Sequence, residues 1–453
     1  MSRQPYLSAV NERVIVFDGA FGTFVQDLDL GPDDFGGASL EGCNEYLCIT
    51  RPDVIRQMHS AFLDVGVDVL ETASFGSFST VLSEYNISDK AYELNVEAAR
   101  LARETANDYE ASGKARYVAG SIGPGTKLPS LGHIRFAELR DAYIEQARGL
   151  IVGGADLFLI ETCMDLLQIK AAMIACRRAM VAEGREIPIQ VQVTMETTGR
   201  MLVGSEVGAA LTAISAMKPD VFGINCATGP AEMQEHLRYL SQNASMPISV
   251  LPNAGLPSIV DGRTRYDLTP AELAKFHHHH VNDLGIGIVG GCCGTTPAHL
   301  KAVVDAVSGM AAPKRTPIVE PSVASIYSSV PMVQDKSFLI IGERTNTNGS
   351  KAFRDAMIAG DWDNCSKIAT EQIREGAHVL DVCVDYVGRD GAIDMDEIAS
   401  RFATQASVPL VLDSTEPQVL EAGLMHIGGR AILNSANLED GEEVGCRMDR
   451  VFS

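Results

Sequence analysis

The chain is 453 residues long, 46% hydrophobic by composition, and carries a formal charge of −22. That charge excludes nonspecific binding to nucleic acid or to anionic membrane, because phosphate contacts need a basic surface; no stretch approaches the roughly 18 uncharged apolar residues of a membrane span, and the start has no apolar signal region. Ten cysteines without small-domain spacing read as reduced thiols or metal ligands, so the expectation is a soluble cytoplasmic enzyme.

In chain order, short apolar runs alternate with amphipathic stretches at 14–17, 67–70, 116–120, 156–160, 188–193, 220–224, 247–251 and 286–289. Between them lie helical patterns, such as Val54, Met58, Phe62 and Val65 after the Pro52-Asp53 start and before the Gly66 stop. Eight strand–helix units in about 300 residues predict a closed (β/α)8 TIM barrel, with an open doubly wound sheet as the alternative. Residues just after barrel strands line the mouth where chemistry is placed. Here they are Asp18-Gly19-Ala20, Glu71-Thr72, Ser121 to Gly125, Glu161-Thr162, Asn225-Cys226 and Gly290 to Gly294.

The last of these holds two adjacent cysteines among glycines, Gly290-Gly291-Cys292-Cys293-Gly294. Neighbours on a regular strand point to opposite faces, so both thiols reach one ion only if the glycines let the backbone leave the strand. With Cys226 they form a candidate three-thiolate zinc site with one position left, as in catalytic rather than structural zinc. A substrate thiol suits that position, since a site of net charge about −1 leaves a thiolate nucleophilic. The alternative is a glycine-rich turn with inert thiols. Four consecutive histidines, His277 to His280, precede the eighth run. Helical geometry lets at most two share a face, and the run reads as a tolerated surface feature or an artefact rather than a metal site.

From Met310 the pattern breaks into Pro313, Pro317, Pro321 and Pro331 with interspersed serines, which predicts an extended interdomain linker over 310–335. A second alternation follows, with apolar runs at 338–341, 378–382, 408–412 and 430–433. Polar groups end each run: Glu343, Thr345 and Asn346; Asp381 and Asp385; Asp413-Ser414; Asn434-Ser435. Such a cluster can satisfy the mixed donor and acceptor edge of a heterocycle.

Phe17-Asp18-Gly19-Ala20, Ile160-Glu161-Thr162, Gly223-Ile224-Asn225-Cys226 and Ile288 to Gly294 together resemble the homocysteine S-methyltransferase domain. The resemblance implies that Cys226, Cys292 and Cys293 hold zinc, that homocysteine sulfur takes the open position, and that Asp18, the Gly19-Ala20 backbone and Glu161, with Asn225 beside them, hold its amino-acid end. Gly342-Glu343-Arg344-Thr345-Asn346, Leu380-Asp381-Val382, Leu412-Asp413-Ser414 and Leu433-Asn434-Ser435 resemble the opening of the pterin-binding domain of cobalamin-dependent methionine synthases. This implies a pterin site at Glu343, Asn346, Asp381, Asp413 and Asn434. One departure is Cys383, where that family commonly has Asn; a thiol lacks an amide's paired donor and acceptor.

The domain order is that of the cobalamin-dependent methionine synthase family. It divides the chain into a homocysteine-binding zinc barrel at 1–309, the linker at 310–335 and a partial pterin-binding barrel at 336–453. The implied reaction moves a methyl group from 5-methyltetrahydrofolate through cobalamin to homocysteine. Only 118 residues follow Asp335, against about 250 for a whole barrel, and no histidine has Asp two residues before it, as the cobalamin signature Asp-x-His-x-x-Gly requires. The chain is therefore expected to be an amino-terminal fragment, inactive for the full cycle, whose cobalamin is bound by a domain outside it. Two alternatives are a homocysteine methyltransferase using a small methyl donor, and a noncatalytic homocysteine- or zinc-binding module that docks a corrinoid protein.

Overall fold

A computed structural model describes residues 3–110, 113–260 and 263–435. The predicted strands appear as β1 (Ile15–Val16), β2 (Val69–Glu71), β3 (Tyr117–Ile122), β4 (Leu157–Cys163), β5 (Ile189–Val193), β6 (Val221–Asn225) and β7 (Ile248–Leu251). A hairpin, β8 (Ser258–Val260) and β9 (Arg263–Arg265), precedes β10 (Ile288–Val289). The sheet runs β1-β10-β7-β6-β5-β4-β3-β2, all parallel. A parallel bridge between Phe17 and Val69 joins its ends, with Asp18 N–H donating to Val69 O at 3.0 Å, so the barrel closes. The open-sheet alternative is thereby set aside.

Alternation along parallel strands sends one set of side chains inward. Ile15, Phe17, Val69, Tyr117, Ala119, Leu157, Leu159, Val221, Leu251 and Ile288 form one buried cluster. Tyr6, from the helix Tyr6–Glu12, joins this cluster edge-on to Tyr117, with ring centroids 5.4 Å apart, and donates to Gln190 Oε1 at 2.8 Å. Strand faces opposite these inner residues pack on the surrounding helices in a larger cluster that includes Val118, Phe158, Ile160, Val191 and Phe222.

The segment expected to be an extended linker contains a hairpin instead, β11 (Ser322–Ala324) paired with β12 (Ser329–Pro331). Its proline and serine content hides apolar residues that are buried: Val323 packs with Val379 and Val411 under the second sheet. Tyr327 at the hairpin turn accepts from Glu206 N at 2.9 Å and donates its phenol to Thr404 O at 2.6 Å, so the turn contacts both modules.

The second module has four parallel strands in sequential order: β13 (Ile341–Gly342), β14 (Val379–Val382), β15 (Leu410–Asp413) and β16 (Ile432–Asn434). Its buried cluster includes Phe353, Met357, Leu380, Ile398, Phe402 and Leu412. The run predicted at 338–341 is strand only at Ile341, and Phe338 is 91% exposed. This is an edge strand with few neighbours to cover it. Lys170 of the barrel helix Leu166–Glu183 reaches the loop before β16, donating to Ile427 O at 2.9 Å and to Gly429 O. Among the described residues no helix is long and apolar enough to cross a membrane.

Candidate metal centre

β6 ends at Asn225, and the next two residues turn sharply: Cys226 has φ +59° and Ala227 φ +58°. Non-glycine residues in this region each cost on the order of 1–3 kcal/mol, a strain that typically marks functional sites. Surrounding backbone bonds hold the turn, from Cys226 N to Leu251 O at 3.1 Å and from Thr228 N to Cys226 O at 2.7 Å. After β10, a Cβ on Gly290 would lie 2.5 Å from Leu251 Cδ2 and one on Gly291 2.3 Å from Thr295 Oγ1. Only glycines fit there. The turn is fixed by Cys292 N to Pro252 O at 2.8 Å, Ala254 N to Cys293 O at 2.9 Å and Thr295 Oγ1 to Cys292 O at 2.7 Å.

The result is that the three sulfurs of Cys226, Cys292 and Cys293 lie within 4.8 Å of one another, with Cys226 and Cys293 Sγ 3.7 Å apart. Tetrahedral zinc with Zn–S bonds of about 2.3 Å separates its sulfurs by about 3.8 Å. Asn253, on the loop that bonds to both Cys292 and Cys293, is buried, and among the described residues its Oδ1 has no hydrogen-bond partner. Three packed thiols cannot all ionise without a cation. Hydrogen bonds from Cys226 and Cys292, aided by the Tyr266 phenol, pull Cys293 down to about 3. Cys226 accepts from Cys292 but donates to Cys293, and with burial ends up at about 12. Donation to Cys226 and then Cys293, with burial, holds Cys292 well above the usual thiol range. One negative charge is thus shared by three sulfurs, a donor set that a divalent cation would complete by releasing two more protons.

Beside the sulfurs stand three carboxylates. Asp18 follows β1 and accepts from Glu71 N at 3.2 and 3.0 Å. Glu161, near the end of β4, accepts from Ser121 Oγ at 2.6 Å and from Asn225 Nδ2 at 3.1 Å. Asn225 is itself oriented by Thr162, whose N–H donates to Oδ1 at 2.8 Å. Burial pushes all three carboxyls up. Glu161 rises to about 7, with Cys293 adding repulsion against the Ser121 hydrogen bond. Asp18 is raised well above its usual value by burial and by Glu161, and Glu71 by burial, Glu161, Asp18 and Cys293. Among the described residues none of the three forms an ion pair with a basic side chain. Among the described residues Glu71 Oε1 is buried without a hydrogen-bond partner, at a position that the sequence places at the mouth without a role. Gly19 abuts Thr295, and Ala20 N–H reaches Thr295 O only at a long 3.4 Å.

Two of the four histidines are not at the surface. The helix Pro270–Leu284 buries His277 and His280 while His278 is exposed, correcting the reading of the run as a surface feature. Among the described residues the only cluster with metal-ligand spacing is the cysteine trio, so the run is not a second metal site.

At the second mouth, Asn346 Nδ2 donates to Asp381 Oδ2 at 2.8 Å and approaches Asp413 Oδ2 at 3.4 Å, while Asn434 Nδ2 donates to Asp413 Oδ1 at 2.8 Å. Asp381 and Asp413 are raised by burial first, and Glu343, which is exposed, adds its charge to both. Cys383 is buried, and Asn348 Nδ2 approaches its sulfur at 3.8 Å. Asp385 accepts from Ser414 Oγ at 3.1 Å through both oxygens.

A family model described as homocysteine S-methyltransferase matches residues 15–307. The chain belongs to that family. A second model, pterin binding enzyme, matches residues 342–448. A methionine synthase of Mycobacterium tuberculosis is 53% identical over 447 residues, 99% of this chain and 37% of that protein. One of Mycobacterium leprae is 51% identical over 441 residues, 96% of this chain and 36% of that one. The chain thus spans little more than a third of these relatives' length. Among solved structures, the metallated form of the homocysteine methyltransferase MmuM from Escherichia coli superposes with a TM-score of 0.52 at 21% identity, covering 64% of this chain and 95% of that one. This homocysteine S-methyltransferase family member shares that barrel fold.

Proposed function

We propose that the barrel binds zinc through Cys226, Cys292 and Cys293 and presents homocysteine for methylation in methionine synthesis. In this reading 5-methyltetrahydrofolate is the methyl source, part of its site is on the second module, and the transfer runs through cobalamin held by a domain outside these residues. The observation that carries it is the convergence of three sulfurs and three uncompensated carboxylates at one barrel mouth. When bound, zinc would supply a Lewis acid that lets a substrate thiol lose its proton near neutral pH.

The chain's own residues do the rest. Asp18, Glu71 and Glu161, whose ionisation is held back by burial and by one another, would ionise against an ammonium group, which offsets their mutual repulsion. Ser121 and Asn225 keep Glu161 turned toward the mouth. The Ala20 N–H, weakly engaged by Thr295, is free to meet a carboxylate. Fixing both ends of the amino acid sets the direction in which its sulfur is offered, a contribution of positioning. In the second module Asn346, Asp381, Asp413 and Asn434, with Glu343 at the rim, would meet the polar edge of the pterin. Zinc-loaded protein given homocysteine and free methylcobalamin should form methionine. Methionine formed instead from a betaine or a methylated sulfonium alone would contradict the cobalamin route.

A further inference from the structure

The two buried histidines form part of a hydrogen-bonded string behind the metal centre, and the polarity of that string can be assigned atom by atom. A carbonyl only accepts, so at the 2.8 Å contact with Gly290 O the proton is on His277 Nε2. Burial holds His277 down at about 4 and His280 well below its usual value, so both rings are neutral. His277 Nδ1 therefore bears a lone pair and accepts from His280 Nδ1 at 3.4 Å. His280 Nε2 in turn accepts from Gln234 Nε2 at 3.0 Å, and the second hydrogen of that amide reaches Pro230 O at 3.3 Å.

The ends of the string are informative. Pro230 lies in the loop that begins at Cys226, and Gly290 opens the loop that carries Cys292 and Cys293. The peptide between Gly290 and Gly291 is held on both sides, its C=O by His277 and its N–H by the backbone carbonyl of Asp18 at 3.2 Å. A glycine–glycine peptide has the widest backbone freedom of any, and here it leads directly into two ligands. We infer that His277, His280 and Gln234 are positioning residues that brace the Cys226 loop against the Cys292–Cys293 loop and so preorganise the three sulfurs for zinc. This rests on the zinc reading above. Its physical basis is that partners outside the ligand shell orient the ligands and are worth about 10–100-fold in metal affinity. The helix is built to carry them: Thr269 and Glu272 form a capping box at its start, Gly285 at φ +68° ends it, and Leu273, His277, His280 and Leu284 make its buried stripe.

The test is the rate at which full-length, zinc-loaded protein gives up its metal to a chelator, measured well below the unfolding temperature. It is paired with the sulfur-to-metal charge-transfer spectrum of the cobalt(II)-substituted protein. His277→Leu should speed release about tenfold and alter the spectrum. His277→Gln, which keeps a donor for Gly290 O, should restore both toward wild type, and exposed His278→Ala should change neither. Gln234→Met cuts the string at its half-buried end and decides the matter if His277→Leu fails to fold; it should speed release severalfold. Wild-type release rates and spectra in the folded Leu and Met variants would overturn the brace while leaving the zinc site standing. A wild-type protein that binds no zinc would overturn the metal reading, and this inference with it.

Discussion

Removing one thiolate from a three-sulfur set leaves too few protein ligands to hold zinc. Cys226→Ser, Cys292→Ser and Cys293→Ser are each expected to lower bound zinc from about one equivalent to a small fraction, read by elemental analysis after dialysis. Retention of a full equivalent in all three would remove the site. Glu71 gives a prediction of opposite sign for stability. Burial and neighbouring negative charge raise Glu161 to about 7 and Glu71 well above the unfolded value near about 4.3, so the folded state binds more protons above that value and stability falls as pH rises from it through the folded range. Glu71→Gln should therefore stabilise the substrate-free protein at pH 7.5 by on the order of 2 kcal/mol and much less at pH 4.5, while weakening homocysteine binding. Thermal melts at both pH values check this, and a variant less stable than wild type at pH 7.5 contradicts it. The cysteines were legible in the sequence because adjacent thiols among glycines have few structural uses. Glu71 was not, since an acidic residue at a strand end equally suits a turn. His277 and His280 were hidden by their neighbours, although the stripe from Leu273 to Leu284 follows the helical period.

At the scale of elements, the two cysteine-bearing loops depend on glycines that admit no side chain. Gly290→Ala would drive a Cβ between Leu251 and Phe17, whose atoms lie 2.5 and 2.7 Å from its position. Overpacking of this kind costs about 1–3 kcal/mol, and because the strain falls at the entry to Cys292, zinc release should quicken along with a lower denaturation midpoint. A variant with wild-type stability and zinc retention would show that the loop has slack. The strands were readable from sequence because each is a short apolar run between helical patterns, and buried parallel strands have that signature. The β11–β12 hairpin was not, because serines are interspersed with its apolar residues and two of them, Ser322 and Ser325, are buried together with Val323, Ala324 and Ile326. Phe338 misled in the other direction: an apolar run implies burial, yet this part of the edge is exposed.

At the scale of the molecule, a closed barrel carries the thiols, a hairpin joins it to a four-stranded sheet, and the second set of polar groups is on that sheet. The two sites share no ligand residues, so they should be separable. Asp381→Ala or Asn434→Ala should leave zinc content unchanged and weaken folate binding about tenfold or more in a protein long enough to complete the second barrel, measured by titration calorimetry. Unchanged folate affinity would defeat the pterin assignment. The order of the modules was legible from residues at strand ends, whereas their mutual docking through Tyr327 and Lys170 depends on long-range contacts that no local pattern announces. The most direct test of the whole account is X-ray absorption at the zinc edge, with and without homocysteine. It should give three sulfurs at about 2.3 Å without substrate and four with it. Two or fewer protein sulfurs, or a sulfur count that homocysteine does not change, would contradict it.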